Sequence, residues 1–213
     1  MLEVKKLVLG KMQSNCYIVY DTDTFNAVVI DPGADAKEII DCIKKLGVKI
    51  YHIILTHAHF DHMGAADVLM KEFNCNLLVS KDDLKLLTDP ALNLSGQFGS
   101  YVTVSGNNVQ AICNQSLHLI GHDFEFINTP GHTDGSICIK VGHFLFTGDT
   151  LFYMSIGNDF PPYGSIQKEI SSIKNKIFTL QGNYICYPGH GPKTTLDFER
   201  QNNPYLGGGG YGY

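Results

Sequence analysis

Between His57 and His62 the chain sets three histidines and one aspartate into six positions, His57, His59, Asp61 and His62, directly after the apolar run Ile53-Ile54-Leu55. Neutral imidazole and carboxylate are the groups that hold Zn²⁺ and neighbouring transition metals. A lone histidine on a polar loop would carry no such meaning; a cluster of this density does. His57 and His59 are two apart, so in an extended segment they point the same way and one cation accepts both. Asp61 and His62 are adjacent and point differently, which suits a second cation beside the first. Each cation is then short of ligands. Three later residues have the right type: His132 in Pro-Gly-His-Thr-Asp-Gly, Asp149 in Phe-Thr-Gly-Asp-Thr and His190 in Pro-Gly-His-Gly. Each sits in a glycine-containing turn after a strand-like run, so all can meet the first cluster at one rim. Such turns favour Asp and Gly in any case. Only their joint occurrence gives them weight.

The elements that must position these groups read clearly in most places. Residues 4–9, 15–20 and 25–30 are short β-rich runs divided by polar turns, and Asp31-Pro32-Gly33 closes the third. Asp35 and Glu38 have capping-box spacing for a helix with Ile39, Ile40, Ile43 and Leu46 on its apolar face, stopped by Gly47. A strand at 50–55 delivers the histidine cluster at its carboxyl end, where open α/β sheets place ligands. Ala65, Val68, Leu69 and Phe73 recur at helical spacing, and 76–80 reads as a strand. The segment 81–108 holds a short helix at 82–87 and otherwise reads as a lid over the site or a long connector. Strands return between 109 and 146. A helix at 166–179, a strand at 184–187 and a helix at 194–201 complete the chain. Two groups of strands, each followed by helices, predict an α/β fold, a four-layer αββα sandwich of two mixed β-sheets with helices outside. Residues 1–206 read as one domain and 207–213 as a flexible Gly/Tyr tail. Gly207, Gly209 and Gly212 match Gly-x-Gly-x-x-Gly, but no strand precedes them, so no dinucleotide site is inferred.

Composition narrows the function classes. With 213 residues, 44% hydrophobic and 17% charged, the chain is long enough for a proper core without disulfide staples. No run of 18 apolar residues crosses a membrane. The first ten residues lack the apolar core of a secretory signal, so a cytoplasmic protein is expected. The six cysteines are spread singly with no Cys-x-x-Cys, which predicts free thiols rather than a zinc ribbon. A net charge of −5 without a basic cluster argues against nucleic acid as partner. His118 and His122 have i, i+4 spacing, but Gly121 and a β-like context weaken them as a metal pair. No Gly-x-Ser-x-Gly elbow is present. The oligomeric state is not legible.

Thr56-His57-Ala58-His59-Phe60-Asp61-His62, followed in order by His132, Asp149 and His190, resembles the metallo-β-lactamase superfamily and most closely its glyoxalase II-like, hydroxyacylglutathione hydrolase-like branch. The resemblance runs from Asn15-Cys16-Tyr17 through Val29-Ile30-Asp31-Pro32-Gly33 to Pro188-Gly189-His190-Gly191 and Asn203-Pro204. It implies a dinuclear site: His57, His59 and His132 on one metal, Asp61, His62 and His190 on the other, and Asp149 bridging. Asp31 would correspond to a residue orienting the first cluster, although a turn-forming aspartate before Pro-Gly explains it equally well. Two divalent ions are implied, zinc first, with iron or manganese as alternatives. They would activate water as a nucleophile towards a small-molecule thioester such as a hydroxyacyl-glutathione, with Asp61 both ligand and orienting group. A thiolate leaves without much protonation, so no strong general acid is needed. Tyr153 and Tyr163 are candidates to line the substrate pocket, with aromatic packing as their alternative role.

Two departures from the family pattern bear on the substrate. Relatives in this branch often carry Gly-Arg-Thr-Asp where this chain has Gly157-Asn158-Asp159-Phe160, and the helical C-terminal domain with which glyoxalase II grips glutathione is not expected after Pro204. The rival functions are a mononuclear iron enzyme of the persulfide dioxygenase kind using His57, His132 and Asp149, a lactone hydrolase, and a metal-binding protein without catalysis. A flavodiiron oxidoreductase fits less well, since its cluster places Glu where His59-Phe60 leads into Asp61.

Overall fold

A computed structural model describes residues 1–106, 108–160 and 162–207; residues 208–213 of the expected tail lie outside the described part. The chain opens with β1 (Leu2–Leu9), β2 (Ser14–Asp21) and β3 (Asn26–Ile30), then α1 (Ala36–Leu46) and β4 (Lys49–Ile54). The short α2 (Phe60–Met63), α3 (Ala66–Phe73), β5 (Asn76–Ser80) and β6 (Val109–Ile112) follow. The second half comprises β7 (Gln115–Leu119), β8 (His122–Asn128), β9 (Ile137–Val141), β10 (Phe144–Gly148), a small hairpin of β11 (Leu151–Phe152) and β12 (Ser155–Ile156), α4 (Ile166–Ser172), β13 (Ile185–Pro188), β14 (Thr194–Thr195) and α5 (Leu196–Asn202).

β1 to β6 form one sheet in sequence order, antiparallel from β1 to β3 and parallel from β3 to β6. The other sheet has the order β14-β13-β10-β9-β8-β7, with β10 and β13 parallel. Both sheets are therefore mixed. Alternation along the strands sorts the core into three layers of side chains. In β2, Tyr17 and Val19 face the other sheet and pack with Phe124, Phe126 and Phe146. Cys16 and Ile18 face the opposite way, onto Ile39 and Ile43 of α1 and Leu69 of α3. On the far side Leu145 and Cys186 pack on Ile173, Ile177 and Leu196. The result is the helix–sheet–sheet–helix sandwich expected from the sequence.

Several local expectations change. Asp35 does not cap α1 with its side chain; it sits at φ 50°, and its carboxylate accepts from the Gly10 N–H at 2.8 Å. Val68 is half exposed and Met70 takes its place in the core, because α3 begins at Ala66 and presents a different face. The helix expected at 166–179 is regular only to Ser172 and continues as a π-helical turn, Ile173–Ile177. Thr194–Thr195 pair with β13 before α5 begins, and the Thr195 hydroxyl accepts from the Phe198 N–H. All six cysteines are free thiols. No helix among the described residues is long and apolar enough to cross a membrane.

Phe146 joins the two sheets, meeting Tyr17 edge-on at 5.3 Å and stacking on Tyr187 at 5.2 Å. Replacing Phe146 by Ala is expected to cost about 3–5 kcal/mol of unfolding free energy, read from denaturant titration.

Candidate metal centre

The carboxyl ends of β3, β4, β8, β10 and β13 open onto one rim, and the residues just beyond them converge there. β3 ends in Asp31, whose carboxylate accepts from the Thr56 N–H at 2.8 Å and the Thr56 hydroxyl at 2.6 Å, fixing the start of the 56–62 loop after β4. Asp61 and His62 then lie on α2 rather than on an extended segment. The turn after β13 is clamped by the first sheet: the Pro188 carbonyl accepts from Asn15 Nδ2 at 2.8 Å and the Tyr17 hydroxyl at 2.6 Å. That contact explains the Asn15-Cys16-Tyr17 motif. Gly189 is needed for close approach, since a Cβ there would lie 2.0 Å from Asp149 Oδ1 and 2.7 Å from His62 Cε1.

The hydrogen bonds fix which imidazole nitrogens face inward. His62 Nδ1 donates to Asp31 Oδ2 at 3.1 Å, and His132 Nδ1 donates to the Asn158 carbonyl at 2.7 Å. His57 Nδ1 donates to the Thr56 hydroxyl oxygen at 3.2 Å, whose own proton is spent on Asp31. In neutral rings this leaves each Nε2 a bare acceptor aimed at the others. His57 Nε2, His62 Nε2 and Asp149 Oδ1 are buried with no hydrogen-bond partner. Buried polar atoms are otherwise almost always paired, so these convergent lone pairs fit a cation. Three groups bring ligand atoms within 4.8 Å of one another: His57, His59 and His132; Asp61, His62 and His190; and His57, His62 and Asp149.

Burial, with neighbouring imidazoles, holds His57 and His59 well below the usual histidine range, and burial lowers His132. Burial would lower His62 too, but the carboxylates of Asp61, Asp149 and Asp31 outweigh it and push it up to about 10. His190 is likewise raised against its burial by Asp61 and Asp149. Burial would raise Asp61, yet His62, His190 and the Ser14 hydroxyl, 2.8 Å from Oδ2, hold it well below the carboxylate range. The first group is thus neutral and ready to ligate, while the second exchanges protons for metal.

The sequence pattern of the Metallo-beta-lactamase superfamily matches residues 9–190. The chain belongs to that superfamily. Its seven expected ligands all reach this rim. The hydroxyacylglutathione hydrolase GloC of Haemophilus influenzae is 34% identical, over 96% of this chain and 98% of its own. The crystal structure of the BLEG-1 B3 metallo-beta-lactamase superposes with a TM-score of 0.92 at 37% identity, over 97% of this chain and 100% of that one. TTHA1623 in a di-iron-bound form gives 0.84 at 30% identity, over 95% and 100%. This is the fold of a superfamily of metal-dependent hydrolases, with a His/Asp cluster able to hold metal at its rim.

For this superfamily member, two of the residues expected at the pocket lie elsewhere. The cavity over the cluster, about 300 Å³, is lined by Met12, Leu94, Phe98, Phe152, Asn158 and Phe160 beside the ligands. Tyr153 instead stacks on Phe198 at 5.4 Å beside Lys193, because the β11–β12 turn points it away. Tyr163 packs on the first helical layer under Lys85 Nζ, 4.3 Å from its ring. No sequence pattern singles out Asp83. It is fully buried and accepts from the Ala58 N–H, the Thr133 hydroxyl and the Gly135 N–H, each at 2.9 Å. It ties the His57–His59 loop to the His132 loop, and burial pushes its carboxyl up to about 6 against those donors.

Asp83→Ala strands three buried donors, so it is expected to lose about 3 kcal/mol or more and to weaken metal binding about 10- to 100-fold, read by thermal unfolding and chelator competition. Glu169 sits under the Gly157 N–H, at 3.0 Å, and is pushed by burial up to about 8. The folded, metal-free protein therefore holds an extra proton, and stability falls as pH rises from 4.5 towards 8. The Tm of Glu169→Gln is expected to gain on the wild type across that window; a constant difference would contradict this.

Proposed function

We propose that this protein is a dinuclear hydrolase of small-molecule thioesters, with hydroxyacyl-glutathiones as the first substrates to test. His57, His59 and His132 would hold one ion and Asp61, His62 and His190 the other. The observation that carries the reading is the placement of Asp149 between the groups. Its Oδ1 lies 3.5 Å from His62 Nε2, and its Oδ2 lies 3.6 Å from His132 Nε2 and 3.5 Å from His190 Nε2. A carboxylate so placed serves both groups. The likeness to a hydroxyacylglutathione hydrolase supports the acyl chemistry. Zinc suits imidazole-rich sets, and iron uses the same ligand types.

Bound metals would supply a water of lowered pKa and a Lewis acid for the substrate carbonyl. The protein's own part is positional. Ser14 fixes one oxygen of Asp61, which keeps the carboxylate ionised and turned towards the cavity, where it can take a proton from the attacking water. Phe152, Phe160 and Leu94 wall the cavity against bulk water. A thiolate departs unaided, consistent with a cavity whose acidic lining, among the described residues, is Asp61 and Asp149. A second reading, β-lactam hydrolysis, is favoured by the likeness to BLEG-1, and it asks the same nucleophile to attack an amide carbonyl.

The test is elemental analysis of protein purified without added metal, run beside turnover of S-lactoylglutathione, other thioesters and a β-lactam panel. Two metals per chain with thioester turnover are expected, and Asp61→Asn is expected to lower kcat about 100-fold or more. Metal-replete protein inert to thioesters would overturn the reading. One iron per chain with oxygen consumption would replace it by an oxygenase.

A further inference from the structure

The cavity over the ligand cluster continues into a larger one of about 530 Å³. Met12, Phe60, Asp61 and Phe98 are walls of both, so the two form one cleft with Asp61 at the junction. The outer limb runs between the β1–β2 turn and the segment from Phe98 to Val102. That segment is a built wall. Asn93 donates to the Leu86 and Val102 carbonyls at 2.9 Å each, its own carbonyl accepts from the Phe60 N–H at 3.0 Å, and the Ser95 hydroxyl accepts from the Val102 N–H at 3.2 Å. The Phe60 and Phe98 rings meet at 5.2 Å. Phe98 and Met12 nevertheless keep 55% and 40% of their surface exposed beside the cleft, more than core packing explains.

The limb is chiefly apolar, lined by Leu9, Met12, Phe60, Phe98 and Val102, with Lys11 the only ionisable side chain besides Asp61 among the described residues that line it. Amide-rich thiol arms need several hydrogen-bond partners here, and the Ser14 hydroxyl is committed to Asp61 and the Ser100 hydroxyl to the Ser95 carbonyl at 3.5 Å, leaving the Lys11 ammonium at the rim. An alkyl chain needs none. We propose that the outer limb binds the acyl side of the substrate, so that the preferred thioesters carry an unbranched apolar acyl arm. The proposal rests on the thioester-hydrolase reading above.

The experiment is a series of N-acetylcysteamine thioesters from two to ten acyl carbons on metal-replete protein, with calorimetry of the matching n-alkyl carboxylates. A fully buried methylene gives roughly fourfold, so half-burial of six raises kcat/KM about 60-fold from the two-carbon to the eight-carbon substrate. Ser100→Trp, which fills the limb, and Phe98→Ala, which removes a wall, are each expected to cut the eight-to-two-carbon ratio several-fold. The ratio is internal to each variant. If either misfolds, the wild-type series still decides. Turnover that is flat with chain length overturns the groove and leaves the hydrolase standing. If no thioester is turned over, carboxylate affinity rising with chain length upholds the groove and sinks the hydrolase, and a flat affinity sinks both.

Discussion

The structure is built to hold lone pairs against one another away from water. His57 Nε2, His62 Nε2 and Asp149 Oδ1 are buried and unpaired, and His59 Nδ1 lies 2.9 Å from His132 Nε2. Such an arrangement is costly without a cation, and the rings of His57, His62 and His132 are each kept from turning away by an outward hydrogen bond. Those bonds end on Asp31, Thr56 and the Asn158 carbonyl, so the orientation of the centre is set one layer out from the ligands. Both sheets are needed for this. β2 supplies Asn15 and Tyr17 to hold the turn that carries His190, and the Thr56 carbonyl accepts from the Ile137 N–H of the second sheet at 2.8 Å.

The electrostatics divide the cluster. Burial disfavours protonation of His57, His59 and His132, whereas the equally buried His62 has the Asp31 carboxylate at 3.1 Å as well as Asp61 and Asp149 beside it. His62 and His190 face Asp61 and Asp149, whose charges favour proton binding there against the effect of burial. Loading the first group therefore releases little, whereas loading the second displaces protons held by strong pairing.

What the sequence revealed of this was what is local or periodic. The strands showed because alternation in β1 and the apolar runs 27–30 and 53–55 mark faces, and the ligand loop showed because its residues are neighbours in sequence. His132, Asp149 and His190 were legible through the glycine turns that a strand end requires. Asp83 was not, because its donors lie 25 and about 50 residues away and an aspartate in a short polar helix has no pattern. Asp35 misled for a related reason: its spacing to Glu38 is that of a cap, but the Gly10 N–H competes for the carboxylate and wins. The segment 81–108 read as lid or connector because its order comes from Asn93 and Ser95 bonding to backbone, which leaves no periodicity. The two tyrosines were the wrong aromatics, since Phe152 and Phe160 lie on the opposite side of the same turns.

The walls of the cleft are coupled to the centre unequally. On one side Asn158 lines the cavity while its carbonyl orients His132, and Gly157 packs so closely that a Cβ would lie 1.9 Å from the Asp149 carbonyl oxygen. Change there disturbs ligands. On the other side the wall from Leu94 to Val102 reaches the site chiefly through the Asn93 carbonyl and the Phe60 N–H, and through the two phenylalanine rings. None of the hydrogen bonds that orient His57, His62 and His132 ends on that wall. The 94–102 side is therefore the freer of the two to change, while the 157–160 side stays tied to His132 and Asp149, which is how one fold and one His/Asp cluster can carry different specificities.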